Sequence, residues 1–113
     1  MLKVSNMESP RTGKAVANQY VICENGEHTR KTTFQSYDSM IVEIDHVKSI
    51  ITFGRDWDYS NTTRKYRNAF LNDFVPQIAD KKILNKLYNE CMKSKTRSTK
   101  TVLNGFNYII RFE

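Results

Sequence analysis

The sequence predicts an α+β fold: an antiparallel β-meander, then two α-helices, then a C-terminal β-hairpin, with the helices covering one face of the sheet. Three observations carry that expectation. β-rich runs bounded by turn residues fill the first half of the chain. After Tyr59 the apolar period changes to three and four residues. A final pair of β-rich runs flanks Asn104-Gly105. Strands and helices thus segregate instead of alternating, which favours an antiparallel sheet with helices packed on it. At 113 residues the chain is one domain, residues 1–113, without internal repeat or boundary. A chain of that size buries roughly two-thirds of its unfolded surface.

The elements follow in order. A short LKV strand opens the chain, and PRTGKA (10–15) forms a turn after it. ANQYVICENGEHTRKTTFQS reads as two strands around Asn25-Gly26, a pair that supplies the positive φ angles of a tight type I′ turn. MIVEI (40–44) and KSIITF (48–53) are two more strands, split by the polar break at Asp45-His46. Tyr66, Ala69, Phe70 and Phe74 then mark one face of a helix, leaving Arg64, Arg67 and Asn68 on the other side. Val75-Pro76 ends that helix, because the residue before proline disfavours the α region and the ring has no N–H to donate. In DKKILNKLYNECMK, Ile83, Leu84, Leu87, Tyr88, Cys91 and Met92 form an apolar stripe, with Asp80 as N-cap. TKTVL and FNYIIRF close the fold as a hairpin.

Eighteen Lys and Arg against twelve Asp and Glu give a net charge of +6, which favours polyanionic partners. Cys23 and Cys91 each lie in an apolar pattern, as buried reduced thiols of a cytosolic protein do. The amino terminus lacks the apolar core of a signal peptide, and no apolar run approaches the ~20 residues that span a bilayer. The expected location is therefore cytoplasmic, with no membrane partner.

Several candidate sites lack an essential part. PRTGKA has the end of a phosphate loop without its first glycine, and Ala15 stands where Ser or Thr would hold magnesium. His28 and His46 have no further ligand at zinc spacing. Asp56 and Asp58 flank Trp57 without the further oxygens that a hard cation requires, and Trp57 itself reads first as an aromatic plug seated between the sheet edge and the first helix. Asp58, Ser60, Asn61 and Thr62 all suit the approach to a helix, where side-chain oxygens accept unpaired N–H groups. No metal, cofactor or catalytic constellation is expected. What architecture does not demand is the group of Arg64, Lys65 and Arg67 close to Trp57 and Tyr59, an arrangement suited to phosphate contact and base stacking. MKSKTRSTK (92–100) adds Lys93, Lys95, Arg97 and Lys100 without one acidic residue.

Taken together, TGK (12–14), NQY (18–20), FQSYDSMI (34–41) and WDYSNTTRKYRNAFL (57–71) resemble a family of small proteins encoded by bacteriophages and prophages. In it the pattern NQF, then FQSY-x-S-x-I, then WDYS-x-TT-x-KYR-x-x-FL recurs in the same order. Tyr20 departs from it by replacing the phenylalanine, and the resemblance covers about residues 12–71, with the second helix and final hairpin longer than the segment associated with the family. The resemblance implies an accessory protein acting in the cytoplasm of a host bacterium. It implies no active site, because the family's function is unknown.

The expected function is that of a non-enzymatic phage accessory protein binding DNA or RNA without strong sequence preference. Its contacts are Arg64, Lys65, Arg67, Lys93, Lys95, Arg97 and Lys100, with Tyr37, Trp57 and Tyr59 as aromatic platforms. The alternative is a protein-binding inhibitor or modulator of a host system, such as a bacterial defence nuclease, anchored by exposed aromatics. Self-association is compatible with either.

Overall fold

A computed structural model describes residues 1–113 as seven strands and two helices. The strands are β1 (Leu2–Glu8), β2 (Ala15–Asn25), β3 (Arg30–Ser36), β4 (Ser39–Asp45), β5 (Ile50–Phe53), β6 (Ser98–Leu103) and β7 (Phe106–Phe112). The helices are α1 (Asn61–Phe74) and α2 (Lys81–Met92), joined through a 3-10 turn at Pro76–Ile78. All seven strands form one sheet, in the order β1-β2-β3-β4-β5-β7-β6. The first five are an antiparallel meander. The closing hairpin returns to the sheet with β7 parallel to β5, Phe53 opposite Phe112, so the sheet is mixed. The two helices that separate β5 from β7 in sequence supply the long crossover that a parallel pairing needs.

One face of the sheet carries the core. Phe34, Val42, Ile44, Ile51, Phe53, Ile110 and Phe112 project from it against Tyr66, Phe70, Leu71 of α1 and Leu84, Leu87, Cys91 of α2, all buried. α1 lies over β3 and β4, and α2 over β6 and β7. A register shift after Phe34 makes Ile41 the extra residue on β4, so Ile41 and Val42 are both buried although adjacent. No helix is long and apolar enough to cross a membrane.

The sequence-derived boundaries need four corrections. The two Asn-Gly pairs behave differently. Asn104 and Gly105 both have positive φ, 52° and 81°, and Leu103 pairs with Phe106 around them, as a two-residue I′ hairpin requires. At Asn25-Gly26 neither residue has positive φ. The strands pair last at Asn25 and Arg30, leaving a four-residue loop closed by Gly26 N donating to the Thr29 carbonyl. On α2 the apolar stripe is narrower than expected, with Ile83 largely exposed. Cys23, on the long outer hairpin beyond the helices' cover, is only half-buried, whereas Cys91 is fully buried. Arg67 is the fourth and bears on function.

Candidate functional site

Trp57 and Arg67 form a structural junction, which removes both from the expected binding surface. α1 starts at Ser60, whose Oγ accepts from Thr63 N at 3.1 Å. The helix then buries Thr63, Tyr66, Arg67, Phe70 and Leu71. Arg67 is four residues from both Thr63 and Leu71, so it lies inside the buried stripe and not beside Arg64 on the wet side. Its guanidinium is completely enclosed. Nη1 donates to the Trp57 carbonyl at 2.8 Å and to Asp58 Oδ1 at 3.1 Å, and Nε donates to Asn68 Oδ1 at 3.1 Å. The guanidinium carbon sits 5.2 Å from the centre of the Trp57 ring. Burial lowers its proton affinity, and the hydrogen bond and charge of Asp58 restore part of it.

Trp57 in turn packs edge-on against Phe53 and Phe112 and at a shallow tilt against Tyr88 of α2, with ring centroids 5.0 to 6.1 Å apart. Arg64 donates through Nε to the same Asp58 oxygen at 2.9 Å and through Nη1 to Asn61. Asp58 therefore holds two arginines, one buried and one at the surface. Of the expected basic face of α1, only Lys65 projects freely to solvent.

The remaining cations divide three ways. Arg97, with φ 55°, donates through Nε to the Phe112 carbonyl at 3.1 Å and through Nη2 to the Glu113 carbonyl at 2.8 Å, fastening the end of β7. Lys100 pairs with Ile109 while neighbouring Thr99 pairs with core Ile110, so Lys100 points away from the helices. Lys93 and Lys95 are exposed beside the carboxyl end of α2.

They continue a line that the sequence reading missed. Lys82, Lys86, Asn89 and Lys93 recur at i, i+4, i+7 and i+11, opposite buried Leu84, Leu87 and Cys91, and all four are exposed. None of these lysines has a carboxylate within 4.0 Å, since only Lys31, His28, Arg64 and Arg67 make ion pairs. The apolar stripe of α2 is a sufficient sequence signal, because the residues half a turn away from it are these lysines.

A second feature lies at the turn between β3 and β4. β3 and β4 are joined by the two-residue turn Tyr37-Asp38, with Ser36 paired to Ser39. Tyr37 has φ 54°, a left-handed conformation that a bulky side chain adopts at a cost. Across from it the segment leaving β5 presents Asp56 and Tyr59, and between them opens a cleft of about 580 Å³. Ser39 Oγ donates to Asp56 Oδ2 at 3.0 Å, fastening its two walls. Tyr37 and Tyr59 are 62% and 77% exposed. Gln19, the cross-strand neighbour of the floor residue Ser36, is almost fully buried, and its Oε1 accepts no hydrogen bond within the protein. The two sequence segments singled out at the start, FQSYDS and WDYSNTT, thus meet here, with Trp57 turned inward and Tyr59 outward.

Elsewhere His46 accepts or donates a 2.9 Å hydrogen bond with Thr32 Oγ1. Burial and the nearby Arg30 lower its pKa below 6.5, against the opposing charge of Asp45. Burial raises the pKa of the Cys91 thiol, helped by Glu90. No three His, Cys, Asp or Glu side chains come together as a metal site would need.

Among family models, one described as "Family of unknown function (DUF8033)" matches residues 2–86. No curated protein and no solved structure matches the chain.

Proposed function

We propose that this chain, which belongs to that family of unknown function, is a non-enzymatic accessory protein that binds nucleic acid without strong sequence preference, through the lysine ridge of α2. The observation that carries the reading is the line of Lys82, Lys86 and Lys93, continued by Lys95. Lys82, Lys86 and Lys93 are exposed, without ion pairs and on the side of α2 facing away from the core, and Lys95 is exposed just beyond the helix end. From Lys82 to Lys93 is eleven residues, about 16 Å of helix. A row of ammonium groups of that length follows a phosphate backbone as point charges and reads no base edge, so the expected binding is electrostatic and indifferent to sequence.

The contact set differs from the one read from sequence. Arg67 and Trp57 are inside the protein, Arg64 is bound to Asp58, Arg97 holds the end of β7, and Lys100 faces the opposite side of the sheet. Lys65, Lys93 and Lys95 remain, and Lys82 and Lys86 join them.

The test is fluorescence anisotropy with labelled single- and double-stranded oligonucleotides over a range of salt. Counterion release makes the logarithm of the affinity fall linearly with the logarithm of the salt concentration, by about 0.9 per duplex phosphate contacted. Replacing Lys82, Lys86, Lys93 and Lys95 with glutamine is expected to weaken binding to all sequences by similar factors and to flatten that slope. An unchanged slope, or no binding by the parent protein at low salt, removes the reading.

A further inference from the structure

We infer that the cleft between the Tyr37-Asp38 turn and the Asp56–Tyr59 segment is a docking site for an arginine side chain of a partner protein. The lysine ridge plays no part in this inference, which rests on the chemistry of the cleft walls. In a protein of net charge +6, the charged groups lining this cleft are two carboxylates, Asp38 and Asp56, with no Lys, Arg or His among the lining residues. Ionised carboxylates only accept hydrogen bonds, whereas a guanidinium has five N–H donors and accepts none, so the two are complementary.

The aromatic walls select the shape of the cation. Tyr37 and Tyr59 flank the cleft with most of their surface in water, where neither adds to the core. Tyr37 also holds a left-handed φ of 54°, in a two-residue turn where glycine or asparagine would fit without strain. An exposed aromatic kept in a strained turn beside a cavity has its ring available for a guest. A guanidinium is planar, stacks on such rings and offers a fork of donors to a carboxylate, whereas an ammonium is a strongly hydrated point charge. The Ser39–Asp56 hydrogen bond joins the turn to the opposite wall, so one acidic wall is positioned before any ligand arrives. The overall positive charge opposes the approach of a basic segment at long range. At physiological salt that repulsion is screened beyond about 8 Å, and the contacts inside the cleft decide the outcome.

The probe is a fluorescein-labelled Gly-Ser-Arg-Arg-Ser-Gly peptide, compared with the same peptide carrying citrulline, the neutral isostere of arginine. Anisotropy is read at about 0.15 M salt. The arginine peptide is expected to bind, and the citrulline peptide to bind at least roughly tenfold more weakly, the ratio that about 1.4 kcal/mol produces. Asp38→Asn with Asp56→Asn, and separately Tyr59→Ala, are expected to weaken the arginine peptide by a similar factor, with circular dichroism unchanged because these side chains lie outside the core. The α2 variant lacking Lys82, Lys86, Lys93 and Lys95 should bind the peptide at least as well as the parent, which separates this site from the nucleic-acid surface. Equal binding of the citrulline peptide, wild-type affinity in the Asp38/Asp56 variant, or no binding of the arginine peptide at millimolar concentration each overturns the assignment. Preference for a glutamate peptide also overturns it, since the amino end of α1 would then govern the cleft.

Discussion

Arg67 owes its buried position to Asp58, the one carboxylate it touches. Replacing Asp58 with Ala leaves a fully enclosed guanidinium with the Trp57 carbonyl and the Asn68 amide as its remaining partners. A stranded buried charge costs more than the intact pair gains, and Asp58 is itself one-third exposed. The expected loss is therefore about 2 to 4 kcal/mol, below the largest values for wholly buried pairs. Urea denaturation should show it, with Asp58→Asn losing less because an acceptor oxygen remains. His46 supplies a prediction in pH. Its folded pKa is lowered, chiefly by burial, so the unfolded chain binds the proton more readily. Its contribution to stability is then complete above about pH 6.5 and is lost as pH falls through 6.5 towards the lower folded value. Melting temperatures measured between about pH 7.5 and 5.5 should fall, and His46→Gln should reduce the slope of that fall.

At the scale of elements, the same dipeptide makes two different turns, and a methyl group tells them apart. Gly105 has φ +81°, and a Cβ there would meet open space. Gly105→Ala thus isolates the backbone term, a cost of about 1 to 2 kcal/mol. Gly26 has no positive φ, and its Cβ would make an ordinary 3.7 Å contact with Thr29. Gly26→Ala is expected to be near neutral or to stabilise by up to about 1 kcal/mol, through the lower entropy of the unfolded chain. Equal destabilisation of the two variants in denaturant melts would mean that both turns are type I′. The turn residues alone do not separate these cases. Around Asn104-Gly105 the strands pair up to the dipeptide, whereas Asn25 is still paired within β2 and the chain turns after it. α1 poses the same difficulty. Tyr66 and Phe70 were readable from period, but Phe74, expected on the same face, is exposed at the end of the helix. Arg67 falls inside the buried stripe because Asp58 and the Trp57 carbonyl wait for it there, and both come from the preceding loop.

For the whole molecule, the closing hairpin is the test of integrity. Residues beyond 86 supply Leu87, Cys91, Leu103, Ile110 and Phe112, five of the 19 buried core residues. Phe112 stacks on Phe53 with centroids 4.7 Å apart and touches both Trp57 and Tyr88. A chain ended at residue 86 leaves β5 as a raw edge and opens the aromatic junction on which α1 is seated. Such a chain is expected to lose cooperative thermal unfolding and to be digested rapidly by trypsin, whereas the full chain melts as one unit. A cooperative melt in the shortened chain would show that the meander and α1 form a core of their own.

The sequence by itself determined the α+β class, the order of elements, the Asp80 cap, the end of α1 at Val75-Pro76 and the I′ turn at Asn104-Gly105. Each of these depends on residues within a few positions of one another, where backbone preference and hydrophobic period act. It also contained the lysine ridge, as the complement of the stripe on α2. Only the tertiary structure decided that β7 enters the sheet beside β5 and parallel to it, that Arg67 is interior, and that Tyr37 and Tyr59 face one cleft. Those outcomes depend on pairs far apart in the chain, such as Phe53 with Phe112 and Ser39 with Asp56. A buried charge is tolerated only where a distant segment brings its partner, and no local pattern records that meeting.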